Sequence, residues 1–244
     1  MRYLVLADIH ANLQALEAVL ADAAQAGYDQ VLVLGDLVGY GGDPAACIDR
    51  TLALEPAAIV RGNHDKVCAG LEPATDFNDV ARASVVWTAA TLTEDHRSRL
   101  AALPTGPARV SDALEICHGA PFDEDYYVFD VADASFALET VTSRLCLFGH
   151  THVPAAFASS VDPIRSEPGA ENDLILPARG PALINVGSVG QPRDGDARAA
   201  YGLLDMDAGR VLLCRVAYDV EGAQARIRQA GLPEWLAQRL AVGQ

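Results

Sequence analysis

Short apolar runs that stop abruptly at polar residues recur along this chain. Tyr3-Leu4-Val5-Leu6-Ala7 runs into Asp8-Ile9-His10, and Val31-Leu32-Val33-Leu34 into Gly35-Asp36. Ala57-Ala58-Ile59-Val60 runs into Arg61-Gly62-Asn63-His64-Asp65. Runs of this length bounded by turn residues predict buried strands. Between the first two, Leu13, Leu16, Val19 and Leu20 recur at helical spacing, with Asn12 placed to cap and Gly27 to close. Asp43-Pro44 reads as N-cap and first position of a second helix reaching about Leu54. Strand, helix, strand, helix, strand predicts parallel βαβ units with right-handed crossovers.

The second half changes character. Residues 77–103 read as two helices, the second started by Thr93 and stopped by Pro104. Arg109-Val110 and Ala113-Leu114-Glu115-Ile116-Cys117 predict a hairpin that ends in His118. A polar, aromatic loop (122–129) and a helix from about Ala134 follow. Leu145-Cys146-Leu147-Phe148 is a further buried strand, ending in Gly149-His150-Thr151-His152. Residues 159–179 show little order and read as a surface excursion or a long hairpin tip. Residues 181–186 form a strand, 200–206 and 211–216 a hairpin around Asp207-Ala208-Gly209, and 219–229 and 233–240 closing helices. The expected architecture is α/β: two mixed β-sheets packed face to face and flanked by helices, a four-layer α-β-β-α sandwich. One domain is expected over 1–244, with a helical insertion at 66–104 and a loop at 120–129 near the site.

The formal net charge is -15 over 244 residues. Such acidity excludes a broad electrostatic grip on long nucleic acid or on an anionic membrane. A small anionic substrate stays compatible, because a local metal cluster reverses the field inside a cleft. The five cysteines are scattered singly, so neither a zinc ribbon nor a disulfide framework is expected. Their apolar neighbours predict buried, reduced thiols. With no leader-like segment and no run long enough to span a bilayer, a cytoplasmic protein is expected.

Of the six histidines, His10, His64, His118, His150 and His152 sit just after predicted buried strands; only His96 lies elsewhere. A single strand-end histidine reads as a structural hydrogen-bonder, and Gly35-Asp36 alone reads as ordinary turn chemistry. Five such histidines together with Asp8, Asp36 and Asn63 point instead to metal ligands at the strand ends, where open α/β sheets place their sites. Imidazole with carboxylate and amide oxygens suits Mn, Fe, Zn or Ni. Two ions roughly 3.5–4 Å apart need a shared ligand, and Asp36 can give one oxygen to each. In an extended segment alternate residues face one side, so Asp8 and His10 can reach one ion, and His150 and His152 can enter one cleft.

Asp8-x-His10, Gly35-Asp36, Gly62-Asn63-His64-Asp65, His118 and Gly149-His150-Thr151-His152, in that order, resemble the signature of the calcineurin-like metallophosphoesterases. The Gly35–Gly41 and Asn185–Arg193 stretches resemble the compact bacterial phosphodiesterase-like branch. The resemblance implies two divalent ions, manganese first, with Fe, Zn, Ni or Mg as alternatives. Asp8, His10 and His152 would hold one, Asn63, His118 and His150 the other, and Asp36 would bridge. A metal-activated hydroxide would attack phosphorus, with unliganded His64, as imidazolium, stabilising charge or protonating the leaving group.

The Asp-Arg pair of the related protein phosphatases is absent, since Val38-Gly39-Tyr40-Gly41 stands there. Arg193 is either a substitute cation or a surface arginine among Asp194 and Asp196, and Arg61 reads as structural. Asp65 either orients His64 or satisfies backbone amides. Tyr40, Phe77, Asn78 and Tyr126 are candidates to line the leaving-group pocket, although packing explains them equally. The expected substrate is a small phosphodiester or nucleotide. The alternatives are a phosphomonoesterase, a protein phosphatase, a non-catalytic metal-bound scaffold, or a single structural zinc.

Overall fold

A computed structural model describes residues 1–158, 163–167 and 170–244. One sheet contains β1 (Arg2–Leu6), β2 (Gln30–Val33), β3 (Ala58–Ile59), β8 (Arg165–Glu167), β9 (Ala170–Ile175), β11 (Ala199–Asp205) and β12 (Arg210–Val216). Its order is β3-β2-β1-β11-β12-β9-β8. The other contains β4 (Ala108–Ser111), β5 (Leu114–Ile116), β6 (Leu145–Phe148), β7 (Ala155–Ala158) and β10 (Ala182–Asn185), in the order β4-β5-β6-β10-β7. Both sheets are mixed. The parallel pairs β2–β3 and β1–β2 form one end of the first sheet and β5–β6 and β6–β10 the centre of the second, and antiparallel strands complete both.

Strand alternation builds the layers. Tyr3 and Val5 of β1 pack with Leu32, Ile116, Leu145, Leu147 and Ile184 between the sheets. Leu4 and Leu6, one residue out of phase, face Leu16, Val19 and Leu20 of α1 (Leu13–Ala26). On the other sheet Cys146 and Phe148 turn outward onto Ala134 and Ala137 of α6 (Val131–Leu138). Each fully buried Val, Leu, Ile or Phe among them contributes about 1.5–3 kcal/mol. The result is the four-layer α-β-β-α arrangement with two mixed sheets flanked by helices.

Asp43 and Pro44 do begin α2 (Pro44–Leu52), although Asp43 makes no side-chain cap. Two helices occupy the middle segment: α4 (Asp79–Thr91), capped by Asn78, and α5 (Glu94–Ala101), capped by Thr93. Helices α7 (Val220–Gln229) and α8 (Glu234–Leu240) close the chain. Three differences from the sequence expectation stand out. A helix α3 (Asn63–Cys68) begins inside the stretch read as a strand-end loop. β7 was not anticipated. The segment 159–179 contains the β8–β9 hairpin, paired to β12 at the sheet edge; residues 159–162 and 168–169 lie outside the described residues. Among the described residues no helix is long and apolar enough to cross a membrane. Cys47, Cys68, Cys117 and Cys146 are buried and unbonded, and Cys214 is half-buried.

Candidate metal centre

The C-terminal ends of β1, β2, β3, β5, β6 and β10 bring the strand-end residues into one buried cluster. Ligand-type atoms of Asp8, His10, Asp36 and His152 lie within 4.8 Å of one another, and so do those of Asp36, His118 and His150. Asp36 belongs to both groups. Its Oδ2 is 3.5 Å from His10 Nε2 and 3.4 Å from His118 Nε2. Its Oδ1 accepts the His64 backbone N–H at 2.9 Å. A single oxygen therefore faces both halves, where the sequence suggested one oxygen for each.

The histidines show how the protein orients them. His10 Nδ1 lies 3.0 Å from Val38 O, His118 Nδ1 2.7 Å from Leu34 O and His152 Nδ1 2.7 Å from Gln191 O. His150 is held by the other nitrogen, Nε2, 3.1 Å from Asp125 O. A ring N–H donating to a carbonyl leaves the remaining nitrogen as a lone pair, the usual support of a metal-bound histidine. Those remaining nitrogens meet in pairs. His10 Nε2 faces His152 Nε2 at 3.0 Å, and His118 Nε2 faces His150 Nδ1 at 3.0 Å. Two lone pairs at that distance repel unless a cation or a proton lies against them. The buried Asn63 Oδ1 also has no hydrogen-bond partner. The donor set thus fits divalent cations.

Electrostatics agree. Burial pushes His10, His150 and His152 well below the usual imidazole range, so they are neutral. Burial opposes charge on His118 as well, but the Asp36 carboxylate outweighs it and holds His118 up at about 10. Burial likewise disfavours the Asp36 carboxylate, yet His118 and His64 beside it keep it ionised. Burial pushes Asp8 up to about 7.

The local backbone explains how these side chains reach inward. Asp8 (φ 53), His10 (φ 48), Asp36 (φ 53), His150 (φ 67) and His152 (φ 61) all occupy the left-handed region. This is not the extended alternation expected from sequence, and its consequence shows at His150 and His152. They enter the same cleft but serve opposite halves of the cluster. The strained turns are held by a backbone lattice: Asp8 N–H to Gly35 O, His10 N–H to Asp36 O and Gly190 N–H to Asp8 O. Asn185 donates to Gly149 O at 2.7 Å and Thr151 Oγ1 at 3.0 Å, securing the loop of His150 and His152.

His64, on the first turn of α3, is 3% exposed. Its ring makes no hydrogen bond among the described residues and lies against Tyr40 (4.4 Å between centroids) and Phe77 (4.8 Å). Gly39 (φ 87) makes room for it, since a Cβ there would stand 2.1 Å from His64 Nδ1. Burial pushes His64 down to about 4, against partial support from Asp36, so the imidazole is neutral at pH 7. Asp65 turns away from it. Its carboxylate accepts the amides of Leu37, Val38 and Gly62, which ties the Asp36 loop to α3.

Arg193 is not an ordinary surface arginine. Asp194 pairs with Arg215 and Asp196 with Arg198, while Arg193 donates to Gln191 Oε1 at 2.8 Å and lies 5.5 Å over the Tyr40 ring. Arg61 is structural, forked onto Glu124 at 3.1 and 2.9 Å. Asn78 Oδ1 accepts from Val80 and Ala81 as the α4 cap, and its remaining surface reaches the cavity beside His64. Tyr126 hydrogen-bonds Asp133 and packs on Phe122. The aromatic residue at the cluster is its neighbour Tyr127, stacked on His150 at 3.7 Å. Nothing in the sequence distinguishes the two tyrosines.

Two sheets converging on an Asp/His cluster define a metal-dependent phosphoesterase, and the comparisons with known proteins agree. The family model of the calcineurin-like phosphoesterase superfamily domain matches residues 1–209, and the chain belongs to that family of phosphoester hydrolases. It is similar to a metallophosphoesterase of known structure from Sphaerobacter thermophilus, with 38% identity, TM-score 0.84 and coverage of 100% of this chain and 99% of that one. It is 34% identical to the uncharacterized protein MJ0912 of Methanocaldococcus jannaschii, over 98% of this chain and 97% of the relative. The hypothetical protein PH1004 of Pyrococcus horikoshii shares the fold at 21% identity and TM-score 0.81, over 100% of this chain and 98% of that one.

Proposed function

We propose that the cluster holds two divalent cations, manganese first, and hydrolyses small phosphodiesters or nucleotide-type esters in the cytoplasm. Asp8, His10 and His152 would hold one cation and Asn63, His118 and His150 the other, with Asp36 belonging to both sets. The observation that carries this reading is the pair of face-to-face imidazole contacts, both at 3.0 Å, on either side of one aspartate oxygen. Bound there, the cations supply Lewis acidity toward phosphoryl oxygens and lower the pKa of water toward neutrality.

The chain's own groups do the rest. His64 is neutral when the site is empty of substrate, and an anionic ester brought against it raises its proton affinity. The imidazole would take a proton from solvent as the ester binds, and the imidazolium would give it to the leaving alkoxide and return to the neutral ring. Arg193, with no carboxylate partner among the described residues, binds a non-bridging phosphoryl oxygen while Tyr40 holds its guanidinium in place. The buried, unbonded thiols support a reducing compartment.

The test is turnover of bis(4-nitrophenyl) phosphate and 4-nitrophenyl phosphate with Mn²⁺, with metal content measured on the same sample. The expected result is two equivalents of metal and faster cleavage of the diester. Folded protein carrying two metals but inert on both esters would falsify the reading.

A further inference from the structure

Beside His64 and His150 lies a cavity of ≈ 210 Å³, walled by Tyr127 and Phe77. We propose that this cavity receives the leaving group and selects esters whose leaving alcohol is neutral or cationic, against leaving groups that carry further phosphates. This rests on the hydrolase reading above and narrows its substrate class.

The charges around the cavity carry the argument. Lys66 is its one lining cation among the described residues, and its ammonium is already shared by Asp125 at 2.6 Å, Glu72 at 3.1 Å and Glu124 at 3.3 Å. Burial opposes the Lys66 charge, but those carboxylates outweigh it and keep the group protonated. The other nearby cation, Arg61, is consumed by Glu124. Asp76 lines the cavity, is exposed, and pairs with no cation among the described residues. Arg61 and Glu124 pair with each other behind the wall, and on it Lys66 stands against Glu72, Asp76 and Asp125, which leaves the side-chain charge of the wall negative.

A second observation points to a ligand in this cavity. The His64 ring lines it, is 3% exposed, and has no hydrogen-bond partner for either nitrogen among the described residues. Arg193 does not line the cavity, and the cation that Asn63 and His150 would hold stands only at their part of its wall. An ester therefore has one favourable orientation. Its phosphoryl group faces the metal ligands and Arg193, and its leaving group enters between aromatic rings and acids. A neutral aryl or cationic alcohol gains apolar and cation–π contact there. A polyphosphate leaving group brings negative charge against a negative wall.

The test uses the full-length, Mn²⁺-loaded protein and three probes: bis(4-nitrophenyl) phosphate, methyl 3-(trimethylammonio)phenyl phosphate and diadenosine tetraphosphate. Each is assayed with the natural sequence, with Asp76→Asn and with Glu72→Gln/Asp76→Asn. Removing the two acids is expected to raise kcat/KM for the tetraphosphate, relative to the neutral ester, by about tenfold, and to lower that of the cationic ester relative to the neutral one. The single Asp76→Asn change, at an exposed position, should move both ratios the same way and guards against a folding artefact from freeing Lys66. Unchanged ratios, or a natural protein that cleaves the tetraphosphate as efficiently as the neutral ester, overturn the proposal. Cleavage of the neutral ester with selectivity blind to charge sinks this inference alone. No cleavage of the neutral ester by folded, metal-loaded protein sinks the hydrolase reading and this inference with it.

Discussion

The turn after β2 and the turn after β11 both use left-handed backbone at the end of a strand, for opposite reasons. Between β11 and β12 that conformation falls on Gly209 (φ 65), and nothing lies within 4 Å of where its Cβ would stand. After β2 it falls on Asp36 (φ 53) and Tyr40 (φ 60), with Gly39 (φ 87) pressed against His64 between them. A left-handed conformation costs an L-residue roughly 1–2 kcal/mol, and glycine escapes that cost. The β11–β12 turn takes the cheap solution. The β2 turn, like those after β1 and β6, spends stability to aim an aspartate or histidine inward. Such outliers persist only where the surroundings over-determine them. Here the surroundings are the backbone lattice from Gly35, Asp36 and Gly190 and the Asp65 carboxylate behind the loop. Strain at a strand end therefore separates the working turns from the connecting ones.

That contrast can be broken at graded strength. The largest effect is expected from Asp36→Asn, which leaves the turn in place but weakens the oxygen facing both halves. Metal content should fall and ester hydrolysis drop to background. A variant that keeps two metals and full activity would show that Asp36 is only a turn residue. His64→Ala should keep both metals while kcat falls by about 10²–10⁴, the range of general acid–base catalysis. Equal metal loss in both variants would merge roles separated here. The paired glycine changes come last. Gly39→Ala adds a clash with the His64 ring to the backbone cost, so a loss of about 2–4 kcal/mol in denaturant unfolding is expected, with lower kcat. Gly209→Ala should cost about 1 kcal/mol and leave kcat unchanged. Matching penalties at the two positions would erase the distinction between the turns.

Much of this was legible along the chain because the site is built on strand ends. An apolar run that stops at Asp, His or Asn marks both the strand and the side chain it delivers, so β1, β2, β6 and β10 and their terminal residues could be read together. Helix α3 escaped notice because it has six residues and starts on the candidate ligand Asn63 itself. No hydrophobic period can form over so short a span. The role of Asp65 was undecidable for a related reason: its partners Leu37, Val38 and Gly62 include residues almost thirty positions away. Tyr126 and Tyr127 are chemically alike and adjacent, and only the fixing of their loop by Lys66 and Arg61 decides which one stacks on His150.

The sequence by itself determined the candidate ligand types, their order and the strands that carry them, because apolar periodicity and residue chemistry are local properties. Tertiary structure decided the contacts through which those side chains group. Alternate spacing placed His150 and His152 in one cleft, and the family resemblance assigned them to different ions. Left-handed turns at both residues send His152 to His10 and Asp8 and His150 to His118. Which carbonyl fixes each ring, and which lone pair is left to face its neighbour, depends on contacts between strands far apart in the chain. Those contacts exist only once the two sheets have closed against each other.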